Sequence, residues 1–351
     1  MDTKEKKIST FDSSGMSTIE SLFGLPFTTE EAEIIVIPVP WEVTVSYTAG
    51  TSNGPQAIMK ASSQVDLFDP YLKNAWKIGI AMIDFPQEIK DKSDFLRIKA
   101  SHYIENLTDG TLTEEDPTSL IITKEINDAC YEMNNWVKQK SLEYLNKNKL
   151  VVLLGGDHST PLGLMQAMAE KYSRFGLLQI DAHADLRIAY EGFKYSHASI
   201  IYNALDIKEI EKVVQVGIRD YSESEALIIQ NSKGRIHTFF DRDIKQMQYE
   251  GQSWKSICNL IVEQLPQNVY LTFDIDGLDP KLCPNTGTPV AGGFEFEQIL
   301  YLIEQVVESK RKIIGFDLNE VTPGEDEWDA NVGARLLFRI ANMMAKSMGK
   351  S

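Results

Sequence analysis

Two short stretches of the chain carry acidic and imidazole side chains at every second position. QIDAHADLR places Asp181, His183 and Asp185 in alternation, and LTFDIDGLDP does the same with Asp274 and Asp276. In an extended chain, residues i, i+2 and i+4 point to the same side, so each stretch delivers its side chains together. Four carboxylates and an imidazole crowded together repel one another strongly unless cations lie between them. The spacing therefore predicts metal binding, with two metal ions as the simplest arrangement.

Three further motifs place polar side chains where the same edge is expected. GGDHST contains His158, YSHAS contains His197 and FDLNEVTP contains Glu320. Each motif alone has an ordinary structural explanation, since a single histidine is usually structural and Asp157 is expected to cap the helix that follows GGDHST. However, two of the five histidines of the chain lie within these motifs, and a third, His183, lies in the first alternating stretch. Together the motifs indicate a dinuclear metal site, and no glycine-rich phosphate-binding pattern is present.

The elements that must position these residues are eight apolar runs separated by helical patterns. Most of the runs are continuously apolar rather than alternating, which is typical of parallel strands buried on both faces. The alternation of strands and helices predicts an α/β protein with a mostly parallel sheet covered by helices on both sides, and ligands bind such sheets beyond the carboxyl ends of the strands. The predicted strands cover residues 33–39, 77–83, 149–155, 175–181, 213–218, 235–240, 268–274 and 312–318, and the clearest helices cover 160–172, 253–265 and 295–309.

The domain organisation follows from shifts in composition. Residues 1–30 are polar and rich in serine and threonine, so we expect an N-terminal arm, and residues 31–345 are expected to form a single domain. Within it, residues 86–148 are polar with a helical pattern. This segment is expected to be a helical insertion that packs on the sheet or takes part in a subunit contact, or else an ordinary pair of crossover helices.

Composition and charge limit the possible partners and the setting. The 351 residues include 43% hydrophobic residues, no long apolar run and a formal net charge of −16, so neither a membrane span nor nucleic-acid binding is expected. The N-terminus lacks the apolar stretch of a signal peptide. Three cysteines far apart in sequence match no zinc motif. These features predict a reduced, cytoplasmic protein.

The motifs GGDHS, DAHAD, SHAS, DIDGLDP and EVTP, in this order, resemble the ureohydrolase family of arginase, agmatinase, formiminoglutamase and guanidino-acid hydrolases over about residues 31–345. The resemblance implies a three-layer α/β/α fold with a roughly eight-stranded sheet, two manganese ions, and a homotrimer or homohexamer. It also implies the metal ligands. One ion would take His158, Asp181, Asp185 and Asp274, and the other would take Asp181, His183, Asp274 and Asp276.

The resemblance also implies roles for three side chains around a small cationic guanidino substrate. Asp185 would accept a proton from the attacking water and pass it to the leaving amine. His197, which is not a ligand, would exchange protons with bulk water at a near-neutral pKa. Glu320 would pair with the guanidinium, whose planar fork matches a carboxylate. Oxygen-rich ligands with some imidazole favour Mn²⁺, with Ni²⁺ as an alternative, and four carboxylates balance the charge of two divalent ions.

The substrate is less closely defined. Arginases usually carry Asn where this chain has Arg187 and Gly where it has Ala198, so the motifs are most similar to those of agmatinases, which convert agmatine to putrescine and urea. Guanidine hydrolysis is the first alternative, because the insertion at 86–148 resembles that of family members acting on free guanidine and because aromatic residues near Trp41 and Tyr47 would narrow the pocket. Trp328 could narrow it as well, although core packing is its first expected role. Hydrolysis of guanidino acids or formiminoglutamate is the next. A catalytically silent binding relative is the alternative of another class, although all six ligand positions are filled.

Overall fold

A single parallel sheet of eight strands organises the molecule. The computed structural model describes residues 3–15 and 20–350. The order of the strands across the sheet is β2-β1-β3-β8-β7-β4-β5-β6, and every pairing is parallel. The strands are β1 (Ile34–Val39), β2 (Ile80–Met82), β3 (Leu150–Gly155), β4 (Phe175–Ile180), β5 (Ile210–Ile218), β6 (Ile236–Phe240), β7 (Asn268–Asp274) and β8 (Lys312–Asn319).

Helices cover both faces of the sheet and give a three-layer α/β/α fold. Successive residues of β3 show why, because Val152 and Leu154 join the hydrophobic core on one face while Val151 and Leu153 join the core on the other. In the described part of the chain the helices are α1 (Thr3–Thr10), α2 (Gly54–Ala61), α3 (Gln87–Thr108), α4 (Pro117–Leu145), α5 (Leu162–Lys171), α6 (Ile200–Ala204), α7 (Glu223–Asn231), α8 (Asp241–Tyr249), α9 (Trp254–Glu263), α10 (Phe296–Glu308) and α11 (Trp328–Ser347). The predicted α/β fold is confirmed.

The polar and helical segment 86–148 contains α3 and α4, which connect β2 to β3 as an antiparallel pair. Ion pairs between the two helices join Lys92 to Glu132 and Lys99 to Glu125. The inner faces of the pair pack on the sheet together with residues of β1 and β3. None of the helices in the described ranges combines the length and apolarity that crossing a membrane requires.

The edge strand β2 is shorter than its sequence predicts. The apolar run 77–83 suggests seven residues of strand, but residues Ala75–Ile78 form a 3₁₀ turn and Gly79 adopts a positive φ of 82°. A Cβ at Gly79 would lie 3.0 Å from the Cα of Ala32, so the chain turns there against its neighbour. Only Ile80–Met82 then pairs with β1.

Candidate metal centre and substrate cavity

The predicted site residues meet at the carboxyl ends of the central strands. Neighbouring strands β3, β8, β7 and β4 end in register, with Leu154 beside Leu318, Asp274 beside Asn319 and Ile180 beside Phe273. The motifs begin where these strands stop, so chain segments distant in sequence deliver their side chains to one edge. From one side to the other this edge carries His158, Glu320, Asp274 and Asp181.

Two groups of potential ligand atoms lie at this edge and share Asp181. One contains His158, Asp181 and Asp185, the other contains Asp181, His183 and Asp276, and the ligand atoms of each group all lie within 4.8 Å of one another. The carboxylate of Asp274 joins the first group, with its Oδ2 3.4 Å from His158 Nδ1. The structure therefore brings together all six side chains that the sequence identifies as ligands.

The contacts of His158 show that this cluster of potential ligand atoms fits a bound cation. Its Nε2 lies 2.9 Å from Thr272 Oγ1, and the Thr272 hydroxyl donates to Asp317 Oδ1 at 2.9 Å. A hydroxyl has one proton, and the Thr272 hydroxyl donates it in the hydrogen bond to Asp317. The Thr272 oxygen therefore accepts a hydrogen bond from the histidine, so Nε2 must carry a proton. In the neutral ring Nδ1 then presents a lone pair to carboxylate oxygens of Asp181 and Asp185, each 3.1 Å away. Such an arrangement is repulsive unless a proton or a metal ion intervenes.

Thr272 and Asp317 are therefore functional residues that the sequence reasoning missed. Both are fully buried polar residues inside apolar strands, Thr272 in β7 and Asp317 in β8. That signal is visible in the sequence, as a threonine within NVYLTFD and an aspartate within KIIGFDLN. A hydrogen-bonded outer partner of this kind fixes the tautomer and the orientation of a metal-binding histidine.

The pKa shifts of the clustered side chains also indicate that the negative charges at this edge are not balanced. Burial, then the charge of Asp181, raises the pKa of Asp185 to about 7. Burial and the charges of Asp276 and Asp181 raise the pKa of Asp274 well above its usual value. Burial alone would lower the pKa of His183, but the charge and hydrogen bond of Asp276, together with the charges of Asp181 and Asp185, raise this pKa to about 11. Carboxylates that resist ionisation when packed together become stable anions beside divalent cations.

Two of the predicted catalytic residues have strained backbone conformations. Asp185 has a φ of 53° and Glu320 a φ of 64°, in the left-handed region that side chains rarely adopt. The Oε1 atom of Glu320 accepts a hydrogen bond of 2.8 Å from the backbone N–H of His158. Its Oε2 lies near Gly287 in the wall of the cavity, 3.5 Å from the position that a Cβ on Gly287 would take. One oxygen is thus held by the protein while the other faces the cavity.

A cavity of about 540 Å³ opens above these residues. Its floor includes His158, His183, Asp185 and Asp274, and Glu320 contributes to one side. His197 also lines it, with Nδ1 3.4 Å from Ser196 Oγ. Burial, reinforced by the charges of His183 and His158, lowers the pKa of His197 to about 4, below the near-neutral value expected from the sequence.

The early loop that follows β1 forms another wall, through Ser46, Tyr47 and Thr48. Glu42 holds this loop in shape, because its carboxylate accepts hydrogen bonds from Gly50 N at 2.6 Å, Ser52 N at 3.2 Å, Ser52 Oγ at 2.9 Å and Thr51 Oγ1 at 3.2 Å. The sequence reasoning did not single out Glu42. An acid followed eight to ten residues later by Gly-Thr-Ser is only a weak signal for such a clamp.

Three expectations about individual side chains are wrong. Trp41 does not narrow the cavity, since it is completely buried in the core under α3 and α4. Trp328 does not line the cavity either, and its indole N–H donates instead to the carbonyl of Lys281. Asp157 does not cap α5, whose N-cap residue is Pro161, because its carboxylate accepts hydrogen bonds from the N–H and hydroxyl of Ser159.

Comparison with known proteins identifies what this arrangement resembles. A sequence model described as the arginase family matches residues 32–343. An N(1)-aminopropylagmatine ureohydrolase from Thermus thermophilus is 30% identical over 91% of this chain and 93% of its own length. An agmatinase from Bacillus subtilis is 28% identical over 88% of this chain and 90% of its own. The crystal structure of an agmatine ureohydrolase from Thermoplasma volcanium has the same fold, with a TM-score of 0.71 at 21% identity and 99% of both chains covered.

Proposed function

Because the chain belongs to the arginase family and is therefore a ureohydrolase acting on amidino C–N bonds, we propose that it hydrolyses agmatine to urea and putrescine. The observation that carries this proposal is the pair of His–Asp clusters sharing Asp181 beneath an open cavity with Glu320 in its wall. The cavity continues past the floor to the exposed side chain of Tyr47, which leaves room for a tail on the guanidino group. That room favours agmatine over free guanidine.

Two divalent ions are proposed in the two clusters, with Mn²⁺ as the first expectation and Ni²⁺ as the alternative. His158, Asp181, Asp185 and Asp274 would hold one ion, and Asp181, His183, Asp274 and Asp276 would hold the other. When bound, such ions supply a water of lowered pKa as nucleophile and stabilise negative charge during attack. The buried, mutually repelling carboxylates support this assignment.

The remaining chemistry belongs to side chains of the cavity. Glu320, fixed through one oxygen by His158 N, would hold the guanidinium with the other oxygen and set the angle of attack on its carbon. Asp185, at the floor of the cavity, would accept a proton from the attacking water and return it to the departing amine. His197, which lines the cavity without belonging to either cluster, would take protons onward to solvent.

A second substrate is supported by the comparisons. The Thermus relative is named for N(1)-aminopropylagmatine, which is agmatine with an aminopropyl group on its amine. Its hydrolysis would yield urea and spermidine. The open mouth of the cavity leaves this longer tail unobstructed, so both substrates must be assayed. The anionic tail of a guanidino acid is disfavoured, because the nearby cation Arg187 is already paired with Glu225 at 3.2 Å.

The experiment is urea release by the metal-loaded protein from agmatine, N(1)-aminopropylagmatine, arginine, 4-guanidinobutyrate and guanidine, with Mn²⁺ and Ni²⁺ in parallel. We expect agmatine to give the highest kcat/KM and putrescine to appear in equal amount with urea. A higher kcat/KM for any other compound would overturn the agmatine assignment.

A matched pair of variants tests the role of Glu320. Glu320→Gln is expected to retain bound metal but lose at least a hundredfold in turnover, because the amide cannot form the charged pair. Glu325→Gln, an exposed change in the same loop, serves as the control and should behave as wild type. Loss of metal from Glu320→Gln would remove the proposed substrate-binding role.

The assembly and setting are proposals as well. A homotrimer or homohexamer is expected, and light scattering measures it directly. Cys130, Cys258 and Cys283 are buried and unpaired, which supports function in a reducing compartment such as the cytoplasm. A monomer in solution would contradict the proposed assembly.

A further inference from the structure

The acidic side chains that line the cavity are, with one exception, already engaged. Glu225 accepts hydrogen bonds from Leu186 N at 3.0 Å and Ser222 N at 2.8 Å, and it also pairs with Arg187. Asp185, Asp274 and Glu320 belong to the metal clusters or hold His158. Asp220 is different, because its side chain is 69% exposed and no hydrogen bond to its carboxylate is found within residues 3–15 and 20–350.

The backbone around Asp220 is held rigidly although its carboxylate is free. The N–H groups of Arg219 and Asp220 both donate to the carbonyl of Ala182, at 2.8 and 3.1 Å. The Arg219 guanidinium donates to backbone carbonyls around the cavity, those of Gly217, Asp276, Leu278 and Val290. A carboxylate carried by such a fixed segment at the end of β5 is positioned before any ligand arrives.

The position of Asp220 suits the far end of a guanidino substrate. The ring of His183 lies between Asp220 and Asp276, with Nδ1 3.0 Å from Asp276 Oδ2 and Nε2 4.0 Å from Asp220 Oδ2. The Asp220 carboxylate therefore lies about one imidazole ring beyond Asp276, towards the mouth of the cavity. Six bonds of about 1.5 Å separate the guanidinium carbon of agmatine from its ammonium nitrogen, so its extended span is roughly 7–8 Å. The span of agmatine and the separation between the metal site and the Asp220 carboxylate are of the same order.

The charges of the cavity differ from one wall to the other. Arg187 stacks over the Tyr190 ring at 5.6 Å and is neutralised by Glu225. An ammonium group near Arg187 would meet a cation, whereas near Asp220 it meets a carboxylate that is exposed and accepts no hydrogen bond from the described residues. The electrostatic field across the cavity therefore directs a cationic tail towards Asp220.

We infer that Asp220 binds the ammonium group four carbons from the guanidino group and thereby selects substrates with a cationic tail. The inference rests on the proposed function and extends it, because the same nitrogen is present in agmatine and in N(1)-aminopropylagmatine. A partly exposed charge-assisted contact of this kind changes affinity by about tenfold.

Asp220 has one competing role, which is to orient His183 from outside the metal cluster. The distance of 4.0 Å to Nε2 is too long for a hydrogen bond. If orientation of His183 were nevertheless its function, substitution would weaken metal binding and would reduce turnover of every substrate by the same factor.

The test compares substrates that differ only in the charge of the tail. The metal-loaded protein is assayed with agmatine, with n-butylguanidine, whose tail is neutral, and with 4-guanidinobutyrate, whose tail is anionic. Asp220→Asn is compared with Asp206→Asn, an exposed substitution outside the cavity. In Asp220→Asn we expect the ratio of kcat/KM for agmatine to that for butylguanidine to fall about tenfold, through KM, with unchanged metal content.

Asp220→Lys extends the test, and it is expected to raise kcat/KM for guanidinobutyrate relative to agmatine. An unchanged ratio in Asp220→Asn, or a uniform loss accompanied by loss of metal, would overturn the inference alone. If the wild-type protein releases urea from guanidine but not from agmatine, the proposed function fails and the inference fails with it.

Discussion

Replacing Thr272 with valine removes one hydroxyl from beneath the metal centre without changing the shape of the side chain. In the metal-bound protein His158 must offer the Nδ1 lone pair to the ion, so its proton stays on Nε2. That proton is donated to Thr272 Oγ1 at 2.9 Å in a completely buried position. In Thr272→Val this donor has no partner.

The expected loss of Mn²⁺ affinity depends on whether the unpartnered N–H destabilises the metal-bound or the metal-free protein. A buried donor without a partner costs about 1–3 kcal/mol. In the metal-free protein a singly protonated ring avoids this cost by carrying its proton on Nδ1, where the carboxylates of Asp181 and Asp185 accept it. The penalty therefore acts against metal binding, and at about 1.4 kcal/mol per factor of ten it weakens Mn²⁺ binding roughly 5- to 150-fold. Losses of about 10- to 100-fold are typical for such outer partners.

The assay is competition for Mn²⁺ between the protein and a fluorescent chelator, with thermal unfolding measured in the presence and absence of metal. Thr123→Val is the matched control, because it removes a buried hydroxyl that bonds only to carbonyls of its own helix α4. The control should bind Mn²⁺ as tightly as wild type. Equal Mn²⁺ affinity in folded Thr272→Val and wild type would refute the proposed orientation of His158.

Three further predictions concern neighbouring parts of the site. Asp181→Asn should abolish stoichiometric binding of both ions, whereas Asp276→Asn should leave about one Mn²⁺ per chain by elemental analysis, because Asp181 belongs to both clusters and Asp276 to one; equal metal contents would contradict this. Glu42→Gln should lower the free energy of unfolding by about 2–3 kcal/mol and raise KM for agmatine, because the N–H and hydroxyl donors of the early loop then face an amide instead of a carboxylate. Denaturant titration measures the stability and initial rates measure KM. An unchanged KM would show that Glu42 does not shape the early loop for substrate binding. Gly156→Ala should destabilise the protein and weaken Mn²⁺ binding, because the new Cβ would lie 2.0 Å from the carbonyl oxygen of Trp41; a wild-type melting temperature and affinity would rule out this tight contact.

Most of the fold could be predicted because the strands are continuously apolar and the helices between them are regular. The predicted run 149–155 contains β3 (Leu150–Gly155), and 268–274 coincides with β7. The meeting of the proposed ligand residues at one edge could be predicted for a related reason, since these residues follow directly after such strands. The failure at β2 arose from Gly79, where contact with Ala32 turns the chain.

Residues that act through tertiary contacts were harder to predict. Asp157 lies one turn before α5, which made a helix cap plausible, but its buried carboxylate is used by Ser159. The sequence places Trp41 in the loop after a predicted strand, whereas its position in the core depends on α3 and α4, which are distant in sequence. The exposed carboxylate of Asp220 becomes noticeable only once its neighbours in the cavity are known to be paired. These features depend on which segments meet in space, and local patterns carry little of that information.

Two metal ions held by the six proposed ligand residues are expected to enable the chain to release urea from agmatine. The most direct measurement is to add Mn²⁺ stepwise to metal-free protein while urea and putrescine are quantified together. We predict that activity rises until two equivalents of Mn²⁺ are bound per chain and that the two products appear in a one-to-one ratio. Folded protein carrying two Mn²⁺ ions that releases no urea from agmatine would contradict the account.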